Sequence, residues 1–345
     1  MLKVMKISST PIPVLGDNKN DKMKAIVQTK YGSPDVLSLQ EVDKPVVPDN
    51  GVLVRVHAAS VNAGDWHLMR GTPFFVRFMF GGVLKPKIKI IGCDVAGQVE
   101  AVGKDVTQFK PGDEVFGDLS ECGFGAFAEY VCATETALVL KPSAMTFEAA
   151  ATVPDAALAA LQGLRDVGQI QSGQKVLIAG ASGGVGSFAV QIAKAFGAEV
   201  TAVCSTKKMN MVRSLGADCV IDYTQTDVTQ HGQRYDLIFD AAAYRSVFDY
   251  LPILTPGGTY VMVGGSIARF FQVMLLGSWI SRISHRKVKC LASKPNQQDL
   301  VTLRELMVAG KIVPFIDRYY DLSEVPAAIR HLEQRQVIGK VAIRV

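Results

Sequence analysis

The chain has 345 residues, 48% of them hydrophobic and 20% charged. That balance belongs to a globular protein, not a disordered chain, which lacks the apolar surface to offset the entropy of ordering. Lys and Arg number 37 against 32 Asp and Glu, a net charge of +5. The charge is not gathered in runs, so no specific nucleic-acid partner is expected, and a small anionic ligand suits it equally well.

At ~100–200 residues per domain the length implies two domains. The stretch 1–22 has no apolar core and carries Asp17 and Asp21. It reads as a flexible tail, neither signal nor transit peptide, with order beginning near Met23. Residues 23–150 hold short strand-like runs such as VLVRVHAASV and GAFAEYVCA, punctuated by Gly and Pro. Alternation over Leu53–His57 fits a half-buried strand, and the region reads as an antiparallel barrel or sandwich. From 151 to 292 the pattern changes: KVLIAG, AEVTAVCS, DCVID, YDLIFDA, GTYVMVGG and VKCLA alternate with helical runs. That order predicts a doubly wound parallel α/β sheet. Residues 293–345 carry a helix and two strand-like pieces, IVPFIDRYY and GKVAIRV, expected to return to the first domain. The run Ile267–Ile283 is the most apolar non-strand stretch. It is shorter than the ~20 residues of a spanning helix. Packing on its own sheet is the plain expectation, with peripheral membrane contact the most a lipid reading allows.

The six cysteines contain no CxxC pair, which gives no support to a zinc ribbon or redox pair. Cys204 and Cys219 read as buried thiols in apolar runs. So thin a spread suits a reducing compartment, and a cytoplasmic location is expected.

Ala181-Ser182-Gly183-Gly184-Val185-Gly186 follows the strand at 175–179 and opens a helix. It fits GxGxxG with the first glycine replaced by alanine. Gly183 lets a pyrophosphate approach, Gly186 lets the helix pack on the strand, and the N–H groups of Gly184 and Val185 face the phosphates. NAD sites place an acid at the end of the second strand. Here Cys204-Ser205-Thr206-Lys207-Lys208 has none. Hydroxyl and ammonium groups attract a 2′-phosphate, so NADPH is the expected cofactor, with Ser205 and Lys208 as its best contacts. Lys207 comes next, and Tyr223 ends the third strand. A lysine here can also simply cap a helix start in solvent.

At this point the chain resembles the medium-chain dehydrogenase/reductase superfamily, in its zinc-free quinone oxidoreductase (zeta-crystallin-like) branch. The similarity runs from Met23 to Val345 and is carried by YGSPDVL, VHAASVNAGDWHLMRG, GCDVAGQVEAVG, FKPGDEVFG, GAFAEYV, GASGGVGSFAVQIAKAFGAEV, RSLGAD and GKVAIRV. The resemblance implies a GroES-like β-barrel catalytic domain, closed by the C-terminal segment, and a Rossmann domain with NADPH between them. It implies cofactor contacts from Ser182, Gly264 and Lys340, and a homodimer. Lys208 and Tyr223 fall where this branch commonly holds the 2′-phosphate.

Zinc relatives use a Cys where this chain has Asn62, and Gly-His-Glu where it has Gly92-Cys93-Asp94; the lobe with four close cysteines is absent. Cys93, Asp94 and His67 are the residues that could rebuild a site, but without a Cys at 62 no metal is expected. The substrate must then carry its own electron sink, which points to quinones and α,β-unsaturated carbonyls. Asn62 is placed by the resemblance beside the nicotinamide, to orient the ring or donate to the substrate oxygen. Asp65 more simply fixes the turn. His67 is either a proton donor or a loop histidine. Tyr130 either reaches the cleft or fills it, and His57 reads as structural. Two rivals stay open: an alcohol or aldehyde dehydrogenase of the same superfamily, and a non-catalytic NADPH-binding lens structural or RNA-binding protein.

Overall fold

A computed structural model describes residues 21–80 and 82–345. The expected tail 1–22 lies outside the described residues except for its last two, and Lys22 already opens the first strand. The chain divides into two compact units. Of the described residues, one holds those of 21–155, 295–304 and 316–345, and the other 156–294 and 305–315.

The first unit begins with the hairpin of β1 (Lys22–Gln28) and β2 (Leu37–Asp43). Then come β3 (Gly51–Val61), α1 (Ala63–Arg70), α2 (Phe75–Met79) and β4 (Asp94–Val102). β5 (Glu114–Asp118), β6 (Tyr130–Thr134), β7 (Leu138–Leu140) and α3 (Phe147–Ala151) complete its N-terminal part. β3 is the organising strand: Val54 and Val56 are buried while Arg55 is exposed, the period of two that a half-buried strand requires. It pairs antiparallel with β4 and β6. Its buried face joins Val95, Val115 and Phe127 in one core.

The second unit runs α4 (Pro154–Gln162), β8 (Lys175–Ala179), α5 (Gly184–Ala195), β9 (Glu199–Cys204), α6 (Met209–Ser214) and β10 (Cys219–Asp222). It continues through β11 (Tyr235–Asp240), α7 (Val247–Tyr250), β12 (Leu254–Met262), α8 (Ile267–Ser284) and β13 (Lys287–Cys290). All six strands are parallel, in the order β10-β9-β8-β11-β12-β13. This is the doubly wound Rossmann order, with its reversal between β8 and β11. The strands coincide with the six expected runs. Val176, Leu177 and Ile178 of β8 are fully buried, as a strand covered on both faces must be.

α9 (Gln297–Val308) follows, then β14 (Ile316–Asp321), α10 (Val325–Glu333) and β15 (Lys340–Arg344). β15 pairs antiparallel with β3 and parallel with β14, the latter being the edge strand of the first unit's sheet. Among the described residues no helix is long and apolar enough to cross a membrane. The six cysteines are free thiols, and Cys219 is half-exposed, not buried as expected, because β10 is the edge strand of its sheet.

Candidate active site

In the second unit the predicted residues gather at the carboxyl ends of the parallel strands. β8 ends at Ala179, and the chain must turn at once to enter α5. Gly180 makes that turn at φ +76°, a backbone state that glycine adopts without a Cβ clash. The working motif is therefore Gly180-x-x-Gly183-x-x-Gly186, and the first glycine is present one residue before Ala181, not replaced. A Cβ on Gly186 would lie 2.1 Å from the Gly180 carbonyl oxygen, so helix and turn meet backbone to backbone. A Cβ on Gly183 would touch only that oxygen, at 3.5 Å, leaving its outer side open. Gly183 caps α5 in extended conformation, and Ser182 is buried beside it. The N–H groups of Gly184 and Val185 lie in the first turn, where no intrahelical acceptor exists and the helix dipole is positive. An open glycine and free donors at the switch point fit a dinucleotide pyrophosphate.

Ser205 caps the short turn Thr206–Lys208 that follows β9. The β9–β10 register sets Asp222 beside Cys204, and the Tyr223 N–H donates to the Cys204 carbonyl at 3.1 Å. Ser205, Lys207, Lys208 and Tyr223 are thus brought to one edge, with the Tyr223 ring 57% exposed. Sheet pairing adds a residue that sequence reading missed. Although β9 carries no acid at its end, Asp222 arrives beside it from β10. Its carboxylate accepts from Thr206 Oγ1, and from Thr224 N and Oγ1 at 2.9 and 2.7 Å. These bonds, those of Thr206 first, hold it below the usual carboxylate range. The spacing Asp222…Thr224 is an Asx-turn signal, but its neighbour in space is not legible from spacing.

Asp240, at the end of β11, was missed too. It is fully buried and accepts from Ala242 N (3.2 Å), Ala243 N (2.6 Å) and Tyr260 Oη (2.8 Å), which shapes the loop after β11. Burial pushes its pKa up. Gly264 lies against that loop, where an added Cβ would sit 3.1 Å from the Ala241 oxygen.

The first unit holds a separate polar network. Asn62 ends β3 and caps α1, its N–H donating to Asp65 Oδ2 at 2.8 Å, while Asp65 Oδ1 accepts from Gly92 N at 3.1 Å. Asp65 thus fixes the turn as expected from its place; burial pushes its pKa up to about 8. The β3–β15 register sets Val341 opposite Val61 and so brings Lys340 to Asn62. The Lys340 ammonium donates to Asn62 Oδ1 and to Asp94 Oδ2, 3.2 Å away. Asn62 Nδ2 donates to Asp94 Oδ2 at 2.8 Å and to Cys93 Sγ at 3.4 Å. Asp94 also accepts from Ser60 Oγ (2.9 Å) and Asp155 N (2.8 Å). Both ends of the Asn62 amide are therefore bound inside the protein. The amide is engaged with Lys340 and Asp94, which departs from the expected donation to a substrate oxygen.

His67 lies on α1 with Nδ1 2.7 Å from the Thr72 carbonyl. A carbonyl only accepts, so Nδ1 carries the proton. Burial lowers the ring's pKa, which leaves it neutral with Nε2 as an acceptor. The proton-donor reading of His67 does not agree with this geometry. Tyr130 pairs with Arg55 of β3. Asn62 is seven residues further on, about 20 Å at the rise of a strand. The Lys44 ammonium covers the Tyr130 ring at 3.9 Å. Tyr130 fills the β1–β2 side of its unit and is not gathered with Asn62. His57 stacks on Phe147 with centroids 4.4 Å apart, a structural contact.

The set Cys93, Asp94 and His67 does not converge as metal ligands, because Asp94 and His67 are held by the partners above. Among the described residues the ligand-type atoms that do converge are those of Cys93, Asp118 and Asp155, within 4.8 Å of one another. They do not fit a tetrahedral zinc well. The set contains no imidazole, and the Lys340 ammonium already neutralises charge in the adjoining network. Burial and the carboxylates of Asp94 and Asp65 push the Cys93 thiol well up, so a metal would have to displace a tightly held proton to bind there.

Two family descriptions match the chain: "Alcohol dehydrogenase GroES-like domain" over residues 48–143 and "Zinc-binding dehydrogenase" over 215–343. The bovine mitochondrial protein named NAD(P)H oxidoreductase RTN4IP1 is 34% identical, over 99% of this chain and 92% of its own. The chain belongs to the medium-chain dehydrogenase/reductase superfamily. Within it, the quinone oxidoreductase-like branch is marked by two further relatives. A chloroplastic NADPH-dependent alkenal/one oxidoreductase of Arabidopsis thaliana is 32% identical over 99% of this chain and 86% of its own. The quinone oxidoreductase structure from Coxiella burnetii superposes with a TM-score of 0.83 at 29% identity, covering 94% of this chain and all of that one. As a medium-chain dehydrogenase/reductase with a GroES-like and a Rossmann domain, the protein is a nicotinamide-dependent oxidoreductase.

Proposed function

We propose that the protein is an NADPH-dependent, zinc-independent reductase of quinones or α,β-unsaturated carbonyls. The observation that supports this reading is the buried Asn62–Lys340–Asp94 network, at positions where the sequence resemblance sets the metal ligands of zinc relatives. With no Lewis acid to polarise a simple carbonyl, the acceptor has to spread incoming charge by conjugation. The relatives named for quinones and alkenals/ones support the substrate class. NADPH, when bound, supplies the hydride. Gly183, Gly184 and Val185 hold the pyrophosphate, Gly264 leaves room on the neighbouring strand end, and Ser205, Lys207, Lys208 and Tyr223 receive the 2′-phosphate. Asn62 and Lys340 act as positioning residues. Neutral His67 keeps its proton on Nδ1, in a hydrogen bond donated to the Thr72 carbonyl, and the proton that completes reduction is taken from water.

Turnover is to be measured with NADPH against a panel of quinones, enones and simple aldehydes, with and without a chelator. Activity on conjugated acceptors, unchanged by chelator, is expected. No activity on them, or loss with chelator, overturns the reading. The convergence of Cys93, Asp118 and Asp155 favours one rival, a metal-dependent alcohol dehydrogenase. Stoichiometric zinc in purified protein, absent from Cys93→Ser, would establish that rival.

A further inference from the structure

α8 is apolar on two opposite sides, and only one is covered. Its inner side, Val273, Gly277 and Ile280, is buried. A Cβ on Gly277 would come 3.2 Å from the Val288 oxygen, so the helix sits directly on β13. On its outer half stand Ile267, Phe271, Leu275, Trp279 and Ile283, four residues apart and 41–71% exposed. A spacing of four forms a ridge that winds slowly around the outer half. An apolar ridge of this extent in water marks a contact surface.

The charge along the chain that carries it is of one sign; the exposed Asp249 stands just before this stretch, on α7, which packs on α8. Between Asp249 and Asp299 the chain has no Asp or Glu, and it has six Lys or Arg. Arg282, His285 and Lys287 are exposed at the C-terminal end of α8. A second stretch, in the first unit, repeats the combination independently. Between Asp65 and Asp94 there is no acid and there are five Lys or Arg. That stretch exposes Phe74, Phe78, Met79 and Leu84, the last at 89%. A helix with an apolar ridge, an exposed Trp and a flanking sequence whose charges are all cationic suits the boundary of an anionic bilayer. Hydrocarbon takes the ridge there, and lipid phosphates meet the Lys and Arg. The helix does not span.

We propose that the outer face of α8 docks the protein on an anionic membrane surface, lying in the interface as a monotopic helix. The proposal stands on this face alone and does not depend on the reductase reading.

The test is vesicle flotation of the purified full chain. One set of vesicles is phosphatidylcholine alone and the other is rich in phosphatidylglycerol. Expected results are flotation with the anionic vesicles, release by salt, and a blue shift of tryptophan emission. The variant Leu275→Glu/Trp279→Glu should partition at least about tenfold more weakly, with unchanged circular dichroism and unchanged NADPH turnover on a water-soluble quinone. The chain's other tryptophan is Trp66, so the shift should vanish in Trp279→Glu. No flotation with either vesicle, or flotation unaltered by the double variant, overturns the proposal. So does a self-association that the variant dissolves without any lipid binding, which would give the face to a second copy. Turnover on the soluble quinone is read separately, so a failed membrane test leaves the reductase reading standing, and the reverse holds too.

Discussion

Lys208 is the residue on which the proposed preference for NADPH turns. It shares its edge of the sheet with Lys207, Ser205 and Tyr223, and also with the ionised Asp222. The two signs oppose each other: ammonium groups attract a 2′-phosphate and the carboxylate repels it. Asp222 is turned into its own loop by Thr206 and Thr224, which takes up its lone pairs. Lys208→Ala is expected to weaken NADPH by about tenfold or more, the scale of one charge-assisted contact, and NADH very little. Titration of both coenzymes by fluorescence checks this, and equal loss for the two would remove Lys208 as the selector. The missing acid on β9 was legible from the sequence because it is a fact of local order. Asp222 was not, since its approach depends on β9–β10 pairing. Asn62 shows the same division. Its position at the end of a strand could be read, but the engagement of both ends of its amide needed β15, 278 residues on.

At the scale of elements, the junction of β8 and α5 sets the geometry of the proposed dinucleotide site. Gly180 turns, Gly183 leaves space, and Gly186 allows the helix to touch the turn. The substitution Gly186→Ala introduces a Cβ where only 2.1 Å is available. Backbone has to shift, at a cost of about 1–3 kcal/mol, and the first-turn N–H groups move with it. The expected outcome is a lower melting temperature and a large loss of coenzyme binding. Gly183→Ala meets less obstruction and should melt near wild type while still binding coenzyme less well. Calorimetric melting together with coenzyme titration separates the two. The strands and helices of this unit were legible because each carries its own period. The exact glycine register was not, because Gly180 and Ala181 are adjacent and only the backbone path shows which one turns. Which of the two readings of Tyr130 holds was not legible for a related reason: a strand pattern does not say which end of the partner strand it meets.

For the whole molecule, the first unit concentrates carboxyl groups out of water. Burial, with the charges of Asp155 and Asp94, pushes Asp118 up to about 8; burial and Asp94 push Asp155 up to about 6, both from an ordinary 3.8. The folded protein therefore binds these protons more tightly than the unfolded chain does. Stability contributed by them is full below about pH 4 and is lost as pH rises to about 8. Asp118 Oδ2 is buried without a hydrogen-bond partner, so Asp118→Asn removes a charge at little cost in contacts. It is expected to raise stability, by on the order of 2 kcal/mol more at pH 8 than at pH 5. That corresponds to several degrees of melting temperature. Thermal melts of both proteins across that range check it; a gain that is larger at pH 5 would contradict the assignment.

The sequence by itself determined the class of each segment, the alternation of strand and helix that demands a doubly wound sheet, and the glycine-rich entry to α5. These follow from periodicity and turn chemistry, which act over a few residues. Tertiary structure alone decided that Asp222 stands beside Cys204, that Lys340 is buried on Asn62, and that the outer ridge of α8 is left uncovered. Each of those is a contact, or the lack of one, between segments far apart in the chain. Contacts of that kind are set by strand register and packing, which no local pattern encodes.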